Sequence, residues 1–319
     1  MDFNVTPEAL NQAARKFRKE LLIMAILGIG ETLKHMTLRT GIRYEEVVGE
    51  LSGGVELEPY KGTLKETGGD IDIVGRTLAT HLGQAIKIAD PNALISTLYG
   101  SGITSGKAIE SSSVTKMIIA LMMRKISEGL NKSIFSAVRN PAGETTASLF
   151  NGLDTVVANE IIATTIAAAN NNYMEIAAIT DSNAVDILKS IYNGASDELQ
   201  EKTTKLFIPR GVYRSYNEDY KVTTGAIPYN TQFKKTFLEG TDDRCELVPL
   251  IGKAGSSHIQ LTTKSNTLVG TYLMGDYEKI EVRRGDNPFK LQFISTMFFG
   301  TQFESLSKEV FMNAKIVGV

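Results

Sequence analysis

The chain has 319 residues, of which 42% are apolar and 22% charged, and a net charge of -2. This fits one large or two ordinary globular domains, and the near-neutral balance excludes bulk electrostatic attraction to nucleic acid or to an acidic membrane. Cys245 is the only cysteine, which excludes an internal disulfide and a zinc site built on several thiolates.

The chain opens with a helix start at Thr6-Pro7-Glu8: a capping hydroxyl, a proline in the first turn and an acid near the positive end of the dipole. The helix is expected to run to about Leu27, where Gly28 and Gly30 weaken it. Arg15, Lys16, Arg18 and Lys19 form a basic stripe that reads either as a solvated face or as a patch facing an anion. The apolar run LLIMAIL (residues 21–27) is too short to span a bilayer and no small-residue cleavage site follows it. Neither a membrane span nor a signal peptide is expected.

Residues 41–75 differ in kind. They hold eight glycines and eleven charged residues, eight of them acidic, so this stretch cannot bury a core of its own. Val55-Glu56-Leu57 and Ile71-Asp72-Ile73-Val74 alternate apolar and polar, and Gly53-Gly54 and Gly68-Gly69 mark turns. The pattern predicts an extended hairpin lying against a neighbour. A strand is expected over Leu82–Ile88, then a short helix over 92–98.

Residues 99–110, YGSGITSGKAIE, look at first like a phosphate loop. The spacing fails, because Ser101 stands where the first glycine belongs and Ala108 replaces the magnesium-binding hydroxyl. From Ser111 to Val138 an unbroken i+4 ladder (Val114, Ile118, Met122, Ile126, Leu130, Ile134, Val138), joined by Met117, Leu121 and Phe135, predicts one helix about 40 Å long. Asn140-Pro141 stops it. Further helices are expected at Leu153–Asn170 and Asp181–Asn193, the second capped by Asp181 or Ser182 and ended by Gly194. A strand at Tyr173–Ile179 lies between them. Short strands follow at 206–208, 211–216, 246–251, 258–262, 279–283 and 290–299. This order argues for an α+β fold.

No local chemistry emerges. Gly28-Ile29-Gly30 lacks the third glycine and the preceding strand of a dinucleotide fingerprint. His35, His81 and His258 are far apart and none sits in a metal-spaced pair. Cys245 is read as inert, because Asp242 and Asp243 would raise its pKa while Arg244 acts the other way. Glu45-Glu46 and Asp242-Asp243 are explained by solvation. No residue is assigned a catalytic, cofactor-binding or metal-binding role, and no cofactor is expected.

The order of elements is architectural: a helical arm, a polar ribbon, a glycine joint, a long helix and a mixed body. That order resembles the major capsid proteins of tailed bacteriophages, with the Hong Kong 97-type fold. The sequence likeness lies in GRTLATHLGQAIKIADPNALISTLYGSG ahead of the long helix, and in LTTKSNTLVGTYLMGDYEKIEV. In the latter, Lys264, Asn266, Gly270 and Asp276 fall on the family's Lys-Asn pair, Val-Gly step and later aspartate. On the residues alone, Gly270 and Gly275 are expected to allow turns with positive φ, and Asp276 to bond its own backbone after the turn.

The resemblance implies an N-terminal arm over 1–36 and an E-loop ribbon with return strand over 37–90. It implies a P-domain over 91–150 with a spine helix at 111–139, an A-domain over 151–285, and a return to the P-domain sheet over 286–319. It further implies a non-enzymatic virion shell protein, assembled in the host cytoplasm, whose partners are copies of itself in pentamers and hexamers. Portal, scaffold and decoration proteins are further partners; packaged DNA is met only non-specifically and no membrane is involved. An encapsulin-like compartment shell and an enzyme without a sequence-visible site are the alternatives.

Overall fold

The computed structural model describes residues 29–53, 59, 60, 62, 71–89, 113–225, 236–272, 280–284 and 290–317. The predicted helix at 6–27, the strand piece at 55–57, the helix at 92–98, the glycine joint at 99–110, Gly275 and Asp276 lie outside these residues. In chain order the described elements are α1 (Gly30–Leu33), β1 (Thr37–Thr40), β2 (Glu45–Gly53), β3 (Ile71–Ala79), β4 (His81–Ala89) and α2 (Ser113–Ser133). Then come α3 (Leu153–Ile162), β5 (Tyr173–Ile176), α4 (Ala184–Asn193), α5 (Asp197–Gln200), β6 (Thr204–Pro209) and α6 (Arg210–Thr224). Strands β7 (Cys245–Leu250), β8 (His258–Thr263), β9 (Thr267–Thr271), β10 (Ile280–Arg284), β11 (Leu291–Phe303) and β12 (Phe311–Ile316) complete the set.

Two five-stranded sheets form the body. The first is organised around β11, whose N-terminal half pairs antiparallel with both β4 and β10, while its last residues pair antiparallel with β9; β1 adds to β9 in parallel. The second has the order β5-β12-β8-β6-β7. In β6 the alternation sends Leu206 and Ile208 to one face and Phe207 to the other, and all three are fully buried. The first face packs under α4 and α6 with Leu188, Ile191 and Tyr216. The second packs against α2 and α3 through Leu130, Phe135, Leu153 and Val157, in a core that also takes Met297, Phe299 and Phe303 from the first sheet. A strand buried on both faces reads as a continuous apolar run, which is why Leu206–Ile208 of β6 was visible in sequence.

Helix α2 is the predicted long helix, with a different end. Met122, Leu130 and Ile134 are buried, as the ladder requires, but Leu121 and Val138 are exposed. The described helix stops at Ser133, giving about 32 Å. The carbonyls of Ile134 and Phe135 accept from Leu153 N and Asp154 N, at 3.1 and 2.9 Å, and that of Ala137 from Gly152 N at 2.8 Å. The end of α2 thus satisfies the orphan donors at the start of α3, and cannot continue its own ladder. A Cβ on Gly152 would stand 2.2 Å from Phe135 O, so this crossing needs glycine.

Other expectations are corrected. The helix predicted over Leu153–Asn170 ends at Ile162, because Asn170 and Asn172 donate to the carbonyls of Thr164 and Thr165 at 3.0–3.1 Å and hold a tight loop there. The strand predicted at 211–216 is part of α6. Val212, Tyr213, Tyr216 and Tyr220 share one helical face against the second sheet, and this packing overrides the β preference of valine and tyrosine. Helix α4 starts at Ala184 and is not capped by Asp181 or Ser182: Asp219 of α6 accepts from Val185 N at 2.8 Å. Strands β9, β10 and β11 belong to the first sheet, and β12 lies between β5 and β8 in the second. β12, buried on both faces, and β1 were not expected as strands.

Candidate functional site

The most distinctive feature is the polar ribbon. β2 and β3 pair antiparallel from Glu45↔Ala79 to Gly53↔Ile71, and among the described residues no third strand joins them. An antiparallel hairpin is present as expected, but Gly53, expected at a turn, is the last residue of β2. Its root is built from residues far apart in sequence. Thr80, fully buried, is the single residue between β3 and β4; its N–H donates to Tyr44 O at 2.6 Å and its hydroxyl to Ile42 O at 3.2 Å. Ile42, Val48, Leu78 and Leu268 form a small apolar cluster beneath. Tyr44 holds a left-handed φ of 73°, unusual for a bulky residue, and sets its ring edge-on to Phe298 at 5.4 Å.

Gly270 and Gly300 are register partners on β9 and β11. A Cβ on Gly300 would lie 2.0 Å from Ala79 O, and one on Gly270 would lie 2.7 Å from Thr80 Cγ2. The two glycines leave a bare patch on the first sheet against which the hairpin root packs. Gly270 is therefore not a turn glycine: it lies inside a strand and is absent from the described positive-φ positions. Glycines inside strand patterns were the available sequence signal for close backbone approach.

Next to its root the hairpin shows water acidic and apolar side chains. Glu45 and Glu46 are exposed, Val47 is 74% exposed and Tyr60 96%. Beside it, β4 turns Leu82, Ile86 and Ile88 outward on one face of the first sheet, all exposed.

Two polar clusters hold the body together. Lys253, entirely buried, donates to Asp154 Oδ1 at 2.6 Å and to His258 O at 2.8 Å, and lies over the Phe135 ring at 4.6 Å. Gln260 donates to the same carboxylate oxygen at 2.7 Å. Burial pushes the lysine below its ordinary range, and Asp154 pulls the other way. His258 is likewise pushed down by burial, with Asp154 opposing and Lys253 and Lys315 assisting. The second cluster is Asn266, whose Nδ2 donates to Thr262 Oγ1 and Ser305 O, both at 2.9 Å, and whose Oδ1 accepts from Ser305 N at 2.7 Å. Asn266 pins the β8–β9 turn to the segment after β11. Its neighbour Lys264 is exposed, and its carbonyl accepts from the Thr37 hydroxyl at 3.0 Å.

The remaining singled-out residues stay apart. His81 sits on β4 and is pushed down by burial and Arg139. His35 lies near the buried Lys205–Glu246 ion pair, 3.8 Å from the glutamate. Cys245 is fully buried and its pKa is pushed up to about 12. The cause is burial first, with Glu246 adding to it, and not the Asp242-Asp243 pair. Among the described residues no three His, Cys, Asp or Glu side chains gather as a metal site, and no helix is long and apolar enough to cross a membrane.

No family model matches the sequence, and no curated protein matches it. Solved structures do. The chain superposes on the satellite phage P4 procapsid, which includes the size determination (Sid) protein, over 92% of this chain and 89% of that one, with a TM-score of 0.58 and 9% identity. For the capsid of the native GTA particle the coverage is 91% of both chains, the TM-score 0.55 and the identity 10%. For the holo-SrpI encapsulin complex from Synechococcus elongatus it is 89% and 86%, with a TM-score of 0.51 and 10% identity. At these identities the likeness is one of fold.

Proposed function

We propose that this chain, which has the fold of phage capsid proteins, builds the icosahedral head shell of a tailed phage by associating with copies of itself. The observation that carries the reading is the match along nine-tenths of the chain to subunits of a procapsid and a capsid. The physical support is the hairpin β2–β3. Two strands that no third strand joins among the described residues, in an acid-rich stretch, make a poor use of a chain on its own, and a good one if a second subunit covers them.

In this reading β2–β3 is the E-loop and α2 the spine helix. The second sheet with α4 and α6 is the core of the A-domain, and copies gather as pentamers and hexamers. The acidic hairpin lies on a basic surface of the next subunit, and the apolar outer face of β4 is covered in the shell. Portal, scaffold and decoration proteins are the further partners of such a shell, and packaged DNA is met without sequence preference. The protein acts in the virion after assembly in the host cytoplasm. Lys264, Asn266, Gly270 and Asp276 have structural roles, and no residue is given a catalytic, cofactor or metal role. A compartment shell is the second reading, favoured by the fold likeness to the encapsulin complex.

Negative-stain microscopy of the purified protein, and of particles from an infected culture, tests this. Closed particles or capsomer rings support a shell, and tailed, DNA-filled particles separate the phage from the compartment. A homogeneous monomer under assembly conditions overturns both.

A further inference from the structure

The hairpin β2–β3 meets the body at two crossings, Gly41–Tyr44 before β2 and the single residue Thr80 after β3. At Thr80 the chain passes from a two-stranded sheet to a five-stranded one. Among the described residues the ribbon meets the body near its root, where Val48 and Leu78 pack on Leu268. A further side chain on the ribbon opposes a swing about that root. Arg76, the register partner of Val48, reaches from β3 to two other elements. Its Nη2 donates to Glu160 Oε1 on α3 at 2.5 Å and to Gln302 Oε1 on β11 at 3.4 Å, and its Nε donates to Phe303 O at 3.2 Å. Gln302 closes the loop by donating to Thr77 O at 3.0 Å.

The geometry suits a clamp. The Arg76 side chain is 11% exposed and that of Glu160 22%, so the pair is shielded from water and salt. Glu160 is itself held, because its carbonyl accepts from Thr165 N and Ile166 N at the end of α3. A guanidinium addresses a carboxylate and a carbonyl from separate nitrogens of a rigid planar fork, whereas a lysine offers one compact ammonium.

We propose that Arg76 is the positioning residue that sets the direction in which the hairpin leaves the body, by clamping β3 to α3 and β11. The role deepens the shell reading and rests on it: a closed shell needs every subunit to offer its hairpin at a defined angle.

The test places spin labels on Tyr60→Cys and Ile162→Cys, both highly exposed positions, while the buried Cys245 stays unlabelled. The inter-label distance distribution is read in the unassembled protein and particle diameters after assembly. Arg76→Ala is expected to broaden the distance distribution about twofold and to spread or abolish closed particles. Amide protection of β8 and β12 should stay unchanged. Arg76→Lys should fall between, and Arg76→Glu should match the alanine variant. Arg76→Glu combined with Glu160→Arg should return the width to the wild-type value, a recovery that lost packing alone does not predict. If Arg76→Ala does not fold, the lysine variant and the reversed pair carry the test. Wild-type widths in the Arg76 variants, or a reversed pair as broad as Arg76→Glu, overturn the clamp. A wild-type chain that never forms particles sinks the shell reading, while the label widths still decide the clamp.

Discussion

Lys253 and Asp154 meet at 2.6 Å with the lysine entirely buried, and Gln260, the His258 carbonyl and the Phe135 ring complete the lysine's surroundings. Removing one partner of such a pair strands a charge in the core. Lys253→Met is therefore expected to cost about 3–5 kcal/mol, while Lys253→Met with Asp154→Leu should regain much of the loss; urea unfolding midpoints measure both. His258 makes the same site sensitive to acid. Burial holds its folded pKa below the ordinary value, so the unfolded chain takes up that proton first, near pH 6.5. The stability due to neutral His258 is complete above about pH 6.5 and is lost as the pH falls below it. His81, shifted the same way, adds with the same sign. Melting temperature should drop between neutral pH and pH 5, and drop less in His258→Gln; equal drops in the two proteins would remove His258 as the cause. None of this was legible in sequence, where Lys253, Asp154 and Gln260 stand too far apart to show any spacing and His258 looked like an ordinary strand residue.

At the scale of elements, legibility followed packing. Strands β4, β7 and β8 were found nearly to the residue, since apolar alternation and flanking turns are local signals. The apolar stripe of α2 was read correctly at Met122, Leu130 and Ile134 but not at Leu121, and its end was missed because the carbonyls that would extend it are taken by α3. The hairpin was visible as a polar, glycine-rich ribbon, while its mount was not. The mount depends on the Gly270–Gly300 pair, and Gly300→Ala places a methyl 2.0 Å from main-chain Ala79 O, which cannot rotate away. A cost of about 1–3 kcal/mol is expected there. Gly270→Ala should cost less, because it meets the Thr80 side chain first. Denaturation midpoints of the two variants check the order, and equal or reversed costs would show that the root is looser than this packing implies.

At the scale of the molecule, the body and the hairpin are separable. Gly49 and Gly75 are register partners, so deleting residues 50–74 lets them close a short turn while keeping Val48, Arg76 and Leu78 in place. The shortened chain is expected to stay folded, with an unchanged melting temperature within a few degrees, and to form no closed particles by microscopy. Normal particles from it would mean that the distal hairpin has no part in assembly. The sequence by itself determined that 41–75 was a polar ribbon too poor in apolar residues for a core of its own, and that a long amphipathic helix led into a mixed body. Those properties follow from composition and short-range period. Only the tertiary structure decided where α2 stops, that 211–216 is helical, that β12 joins the second sheet, and that Gly270 makes room for Thr80 and does not form a turn. Each depends on a partner beyond the reach of a local period, from the next helix to the far end of the chain, and a contact of that kind leaves no periodic mark on the chain that makes it.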